Sequence, residues 1–172
     1  MLGSKDLIIV PEKHVLDSPG HFAKIWKKIE IAKQNLAYNK DVTISSLHVN
    51  ETVASHAVDG NRGTEFYSCA QTDYGNPSWL QVDLGNEAVV RSVIIISIKN
   101  EFRTMKNFSV KVGNGYGTGR RNSTCALGLN IPESTNSLSV DCPVNTIGRY
   151  ITVSVVGHLE LCEIEVFGKF LF

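Results

Sequence analysis

The stretch WLQVDLG at residues 79–85, followed by VVRSVIIISI at residues 89–98, decides the fold class of this 172-residue chain. Both stretches are rich in β-branched and other apolar residues, as is typical of β-strands. Residues 93–96 are apolar throughout, which is expected for a strand that is covered on both faces. We therefore predict two strands here, the second of them buried on both sides.

The rest of the chain after residue 34 shows the same pattern, in which short strand-like segments alternate with segments rich in Gly, Asn, Asp and Ser. No helical pattern separates these runs, so they predict an all-β fold, either an antiparallel sandwich or a barrel. Residues 113–129 are rich in Gly, Asn and Ser and are predicted to be a loop. The further predicted strands are residues 42–46, 108–112, 138–140, 149–156 and 161–167.

The first 34 residues form a separate segment with a predicted helix. Asp17 or Ser18 is suited to cap its start, and Pro19 suits its first turn. Its apolar residues recur at helical spacing, with lysines on the other face. One interpretation is a basic amphipathic helix for a membrane or a partner; the one we favour is a linker helix that packs on the domain. The apolar positions are Phe22, Ile25, Trp26, Ile29 and Ala32.

Charge and hydropathy exclude several classes of protein. Seventeen basic and seventeen acidic residues cancel, so no overall field favours nucleic acid or an anionic membrane. No apolar run reaches the roughly 18–20 residues that a membrane-spanning helix needs. The five histidines are scattered, and the chain contains neither an H-E-x-x-H nor a G-x-S-x-G motif, so we expect the protein not to be an enzyme.

Cysteines and glycosylation sequons predict a secreted protein, or the extracellular part of a larger one. The four cysteines form an even count without a C-x-x-C pair, which favours two disulfides over a zinc site. Three N-x-S/T sequons begin at Asn50, Asn107 and Asn122, and glycosylation at such sites occurs in secreted proteins. The cysteines are Cys69, Cys125, Cys142 and Cys162.

Several motifs together resemble F-type lectin (fucolectin) domains, which are related to discoidin and coagulation-factor type C domains. AVDGNR at 57–62, FYSC at 66–69 and WLQVDLG at 79–85 resemble the opening half. DCP at 141–143, GRY at 148–150 and LCEIEVFG at 161–168 resemble the closing strands. The resemblance covers residues 35–169 and implies an antiparallel β-sandwich of the jelly-roll, discoidin-like kind. It also implies that Cys69 pairs with Cys162, and Cys125 with Cys142.

Calcium is the cofactor that both the chemistry and the resemblance suggest. Asp59-Gly60-Asn61 provides a carboxylate, a flexible turn and an amide oxygen within three residues, and calcium prefers such oxygen ligands. The alternative is an Asx turn with a surface glutamate. The resemblance implies a structural calcium site with carbonyl ligands from His56, Asn61, Ser68 and Cys162, and side-chain ligands from Asp59, Ser68 and Glu163.

The sugar site departs from the family. The resemblance implies a fucose site made of one His and two basic residues, with a pair of adjacent cysteines against the sugar. Here Gln71 takes the place of the His, Arg103 keeps one basic position, and no adjacent cysteines exist. One hypothesis is a rebuilt glycan site, with Tyr67 or Phe102 as its stacking surface. Its hydrogen-bonding residues would be Gln71, Lys99, Asn100, Glu101 and Arg103.

The alternative is that the fold serves adhesion through protein recognition and that the sugar site is vestigial. Losing one member of a buried cluster of donors typically costs about 1–3 kcal/mol, and two such losses are enough to abolish weak monosaccharide binding. A phospholipid-binding role is a further alternative, but residues 73–76 are mostly polar and membrane binding is not expected. The predicted partner is therefore a glycan or glycoprotein, with fucosylated glycans among the candidates.

Overall fold

The structure is a computed structural model that describes residues 34–98, 105–115 and 122–172. The helix predicted within residues 1–34 lies outside the described residues, apart from Gln34. Nine strands and two short 3-10 helices make up the described chain, and no helix among them is long and apolar enough to cross a membrane. The strands are β1 (Asp41–Ile44), β2 (Ala70–Gln71), β3 (Gly75–Ile96), β4 (Lys106–Gly113), β5 (Asn122–Asn130), β6 (Ser137–Asp141), β7 (Ile147–Gly157), β8 (Glu160–Leu161) and β9 (Glu163–Phe170). The 3-10 helices are Ala54–Val58 and Phe66–Ser68.

Strand β3 runs through both layers of an antiparallel β-sandwich. This architecture confirms the predicted fold class. Its first half pairs with β1 and β7, and its second half pairs with β6 and β9. The register shifts between Asp83 and Ala88, where Gly85 has a φ of +85°. Such a left-handed residue is easily adopted only by glycine. The two predicted strands 79–84 and 89–98 are therefore one irregular 22-residue strand that contributes to both layers.

The prediction of a loop at residues 113–129 is wrong, because β5 occupies Asn122–Asn130. Among the described strands, β5 pairs only with β4, at the edge of the order β1-β3-β7-β4-β5. Its register against β4 slips at several points, and bulges of this kind are common at sheet edges. An edge strand is exposed and polar, so its sequence lacks the apolar alternation by which the other strands were predicted.

The hydrophobic core fills the space between the two layers. Within residues 93–96, Val93 and Ile95 belong to this main core, while Ile94 and Ile96 pack with Ile98 and a disulfide in a smaller cluster on the opposite face. The prediction of a strand covered on both faces is confirmed. Full burial of a large apolar side chain contributes roughly 1.5–3 kcal/mol. The largest such side chains include Phe108, Leu80, Leu84, Ile151 and Ile164.

The short ladder of β2 and β8 positions the loops at one end of the sandwich. Ala70 pairs with Leu161, and Gln71 pairs with Glu160. Cys69, just before β2, is disulfide-bonded to Cys162, just after β8. The second disulfide joins Cys125 in β5 to Cys142 after β6. Both pairings agree with those that the resemblance implied.

Candidate functional site

The turn at residues 59–63 is organised by its own side chains. The Asn61 amide donates to Asp59 Oδ1 at 2.7 Å, and the Gly63 amide donates to Asn61 Oδ1 at 2.9 Å. Gly60 has a φ of +82°, and a Cβ there would lie 2.9 Å from the ring of Tyr38. The sequence Asp-Gly-Asn therefore forms consecutive Asx turns, and Gly60 is required both by its backbone angle and by the neighbouring ring.

Glu163 in β9 meets this turn as a fully buried carboxylate. Its Oε2 accepts a hydrogen bond from the Gly60 amide at 3.1 Å, whereas Oε1 is buried without a hydrogen-bond partner among the described residues. Burial raises the pKa of Glu163 to about 8, with Asp59 and Glu165 adding to the increase and the Gly60 amide and Arg62 opposing it. A buried carboxylate oxygen without a donor is costly unless it is protonated or bound to a cation.

Further oxygens converge around Gly63, on the same turn. A Cβ on Gly63 would lie 2.7 Å from Glu65 Oε2, 3.0 Å from Asn61 Oδ1 and 3.5 Å from Ser68 Oγ. The Cys69–Cys162 disulfide joins the residue after Ser68 to the residue before Glu163. We call this group of oxygens, together with Glu163, the oxygen cradle. Hard cations such as calcium prefer oxygen ligands of this kind.

The predicted calcium ligands therefore fall into two groups. Asp59, Asn61, Ser68 and Glu163 lie on the segments that the turn and the disulfide bring together. His56 and Cys162 were predicted as carbonyl ligands. His56 lies in the first 3-10 helix, where its Nδ1 is buried without a hydrogen-bond partner in the described structure, and Cys162 is buried. Across the described ranges, no three His, Cys, Asp or Glu side chains are grouped to hold a metal ion.

An ion pair closes the other side of the turn. Arg62 donates to both carboxylate oxygens of Glu165 at 2.6 Å each. The nearly buried Glu165 raises the pKa of the Arg62 guanidinium above its ordinary value. This bidentate contact fixes the turn to β9 independently of any bound ion.

Beside the cradle, five aromatic side chains contact one another in succession at the end of the sandwich. We call them the aromatic row. Ring centroids are 5.0 Å apart for Tyr67 and Phe66, 6.4 Å for Phe66 and His48, 5.7 Å for His48 and His158, and 5.8 Å for His158 and Tyr74. All four contacts are edge-to-face, which is a favourable arrangement for aromatic pairs.

Gln71 holds the first part of the row in place. It is only 2% exposed, and its side-chain amide donates to the Phe66 carbonyl at 2.7 Å. Its own carbonyl accepts from the His48 amide at 3.1 Å. The side chain predicted to contact sugar hydroxyls is therefore turned inward, where it supports Phe66, and the main-chain carbonyl of Gln71 supports His48.

The residues after Gln71 hold the rest of the row. The Thr72 carbonyl lies 3.1 Å from His158 Nδ1, and the Thr72 hydroxyl accepts from the Leu159 amide at 2.9 Å. Asp73 Oδ1 lies 3.0 Å from His48 Nδ1. One short segment after β2 thus positions loops that are far apart in sequence.

The other predicted site residues are distributed as follows. Tyr67 is 65% exposed, as its predicted role as a stacking surface requires. Asn50 and Asn107, the first residues of two sequons, are exposed, and Asn122 begins β5. The predicted ligand residues Lys99, Asn100, Glu101, Phe102 and Arg103 lie outside the described residues.

Sequence reasoning did not predict four members of the row as site residues: Phe66, His48, His158 and Tyr74. The two histidines are far apart in the chain and belong to no motif. They meet only because β2 pairs with β8. The accumulation of polar and aromatic residues around Gln71 is the one local signal, and it does not distinguish a site from an ordinary loop.

Comparison with known proteins identifies the family. A family model of F5/F8 type C domains, described as a NedA-like, galactose-binding domain, matches residues 56–153. Fucolectin-2 of Anguilla japonica is 34% identical over 125 residues, which make up 69% of this chain and 68% of the relative.

Two solved structures have the same architecture. A fucose binding module of Streptococcus pneumoniae is 33% identical with a TM-score of 0.67, covering 79% of this chain and 96% of that one. The F-lectin (fucolectin) from the serum of Morone saxatilis, the striped bass, is 29% identical with a TM-score of 0.73. The match covers 81% of this chain and 49% of the bass protein.

These matches agree with the motifs at both ends of the domain and with the sandwich built on β3. The family consists of lectin and carbohydrate-binding modules rather than catalytic domains, so the expectation that the chain is not an enzyme is confirmed. The chain belongs to the F-type lectin family, within the F5/F8 type C domains.

Proposed function

We propose that this protein is an extracellular, calcium-containing module that binds glycans through the aromatic row. The observation that carries the proposal is the position of the row. It is built on Gln71, the residue that takes the place of the sugar-binding His in the resemblance, and its terminal ring, Tyr67, is exposed. The names of the relatives point the same way, since they include fucolectins and a fucose binding module.

The row offers the two kinds of contact that a sugar uses. One face of a pyranose carries C–H bonds, and these pack favourably against the negative face of an aromatic ring such as that of Tyr67. The edge of the sugar carries hydroxyls, which hydrogen-bond to imidazole nitrogens. Because the internal hydrogen bonds of Gln71 and Asp73 already fix Phe66 and His48, little conformational entropy is lost when a sugar binds.

Calcium would bind at the oxygen cradle and the neighbouring Asp59. The resemblance implies side-chain ligands from Asp59, Ser68 and Glu163, and main-chain carbonyl ligands from His56, Asn61, Ser68 and Cys162. The ion supplies positive charge to the otherwise unsatisfied Oε1 of Glu163. Its role is structural, because it ties the turn at residues 59–63 to β9, next to the segment that carries Phe66 and Tyr67.

A glycan array probed with calcium-loaded protein tests the function directly. We expect binding that Tyr67→Ser weakens at least tenfold and that Arg103→Ala also weakens. The matched control is Val144→Ser, which removes a side chain that is 92% exposed in the turn between β6 and β7. Free fucose should bind with millimolar affinity or weaker, because a charged His and a cysteine pair are missing. Sub-millimolar fucose binding would refute that expectation.

The second candidate is adhesion through protein recognition. Its supporting observation is that the amide of Gln71 is used internally and that the family's adjacent cysteines are absent. A folded, calcium-loaded protein that retains no glycan from a broad array would favour this candidate and reject glycan binding.

A further inference from the structure

We infer that the ligand is a neutral oligosaccharide that lies along the whole aromatic row, with Tyr74 and His158 forming a second platform beyond Tyr67. This inference rests on the proposed function. It names the class of glycan, and it assigns a binding role to two residues outside the motifs that the family resemblance supplied.

The exposure of the rings indicates two platforms. The most exposed members are the ends of the row, Tyr67 at 65% and Tyr74 at 73%. Three less exposed rings, those of Phe66, His48 and His158, lie between them, with neighbouring centroids 5.0 to 6.4 Å apart. A pyranose has about the size of one six-membered aromatic ring, so a monosaccharide covers one end only. A ligand that contacts both tyrosines needs at least two sugar rings.

The Tyr74 end is a supported surface and not a free loop tip. Its ring lies against Gly157, where a Cβ would be 3.6 Å from Tyr74 Cε2, and packs edge-to-face against His158. His158 is in turn held by the Thr72 carbonyl. An exposed aromatic ring that packs against two fixed neighbours is the type of anchor that loses little entropy on binding.

The hydrogen bonds of the two histidines define what the middle of the row recognises. A carbonyl oxygen only accepts, so His158 Nδ1 carries the proton in its contact with Thr72. A carboxylate oxygen of Asp73 lies at hydrogen-bond distance from His48 Nδ1. In both rings Nδ1 is engaged with these protein groups, so Nε2 is the nitrogen that can contact a sugar hydroxyl. The Asp73 carboxylate beside the rings disfavours the like charge of an acidic sugar, so the predicted oligosaccharide is neutral.

The test measures affinity against glycan length in saturating calcium. The probes are L-fucose, a fucosylated tetrasaccharide, and the strongest glycan of the array with its fragments shortened one sugar at a time. We expect at least a tenfold gain between the terminal sugar and the full glycan. Tyr74→Ser should remove that gain, whereas the surface control Val144→Ser should keep it. Tyr67→Ser should weaken every glycan, and Tyr74→Phe, which keeps the ring, should behave as the parent.

The outcomes separate this inference from the proposed function. If glycans bind but neither length nor Tyr74→Ser changes the affinity, the second platform is rejected and the lectin function stands. A preference for acidic over neutral glycans also rejects it. If no glycan binds to protein that melts normally, both proposals fail, and a protein partner becomes the candidate for the row.

Discussion

The oxygen cradle and the aromatic row are neighbours, but they depend on different physical supports. In the cradle a buried carboxylate oxygen has no hydrogen-bond partner within the described structure, and burial raises the pKa of Glu163 to about 8. In the row the supporting polar groups named above are paired: Gln71 with Phe66, Thr72 with His158, and Asp73 with His48.

Only one of the two regions therefore needs a bound proton or ion from outside the chain. A buried, unsatisfied carboxylate is stabilised by a proton or by a cation, so the cradle should respond to both pH and calcium. The row is held by internal hydrogen bonds and edge-to-face contacts, so its conformation should not depend on calcium. The two regions are joined through the chain around Cys69, which follows Ser68 of the cradle and precedes Gln71, the residue that supports the row. The disulfide from Cys69 to Cys162 ties this segment to β9.

The largest expected effect on the free energy of unfolding comes from removing the Cys69–Cys162 disulfide. Replacing Cys69 and Cys162 by alanine opens a loop of 93 residues and should lower the free energy of unfolding by about 4–5 kcal/mol. The matched control replaces Cys125 and Cys142, which are 17 residues apart, and should cost about 3 kcal/mol. Guanidinium denaturation measures both. Only the first pair should also abolish the response to calcium, and equal loss of that response in both variants would contradict the cradle.

The next largest expected effect is the loss of stability when calcium is removed. A ligand that binds only the folded state stabilises it by about 2.7 kcal/mol when its free concentration is about 100 times the dissociation constant. Chelation should therefore lower the melting temperature of the parent, as followed by circular dichroism. Glu163→Gln keeps the shape of the side chain and should make the melting temperature insensitive to chelator. A melting curve that chelator leaves unmoved in the parent, with no heat of calcium binding in calorimetry, would remove the calcium site.

A proton should partly replace the ion in chelated protein. Because the pKa of Glu163 is raised to about 8 when folded, from near 4.3 when unfolded, the folded state holds the extra proton between these values. Its stabilisation is complete below the unfolded pKa and is lost as the pH rises. From pH 5.5 to pH 7 the loss should be about 2 kcal/mol.

The control for this pH dependence is Glu163→Gln, which should lack the slope in the same buffers. Arg149 donates to both carboxylate oxygens of Asp83 at 2.6 Å each, and this ion pair does not interfere. Its hydrogen bonds lower the pKa of Asp83, so its contribution to stability is lost only in more acidic solution. An unchanged slope in Glu163→Gln would show that another group titrates.

The sequence could predict the cradle better than the row. Asp59-Gly60-Asn61 is a local signal, and the motif around Glu163 belongs to a recognisable closing strand. The long apolar runs likewise predicted most of β3, β7 and β9. The sequence did not predict strand β5, because this strand lies at the sheet edge and its mostly exposed residues lack an apolar alternation. The row was missed because His48 and His158 have no local pattern, and only the pairing of β2 with β8 places them together.

The smallest expected effect on stability tests whether Gln71 supports the row. Gln71→Leu keeps a buried side chain of similar size but removes the donor to the Phe66 carbonyl. An acceptor left without a donor costs about 1–3 kcal/mol when it stays buried, and the exposure of Phe66 places the loss near the lower end, about 1 kcal/mol.

If the cradle and the row are supported separately, the calcium response of Gln71→Leu is unchanged, since the cradle does not use Gln71. Its glycan affinity should fall, because Phe66 and Tyr67 are no longer fixed. Calorimetry with calcium and then with the strongest array glycan measures both quantities on one sample. Glycan affinity equal to that of the parent would show that the row holds its shape without Gln71, and a lost calcium response would show that the two regions form a single cooperative unit.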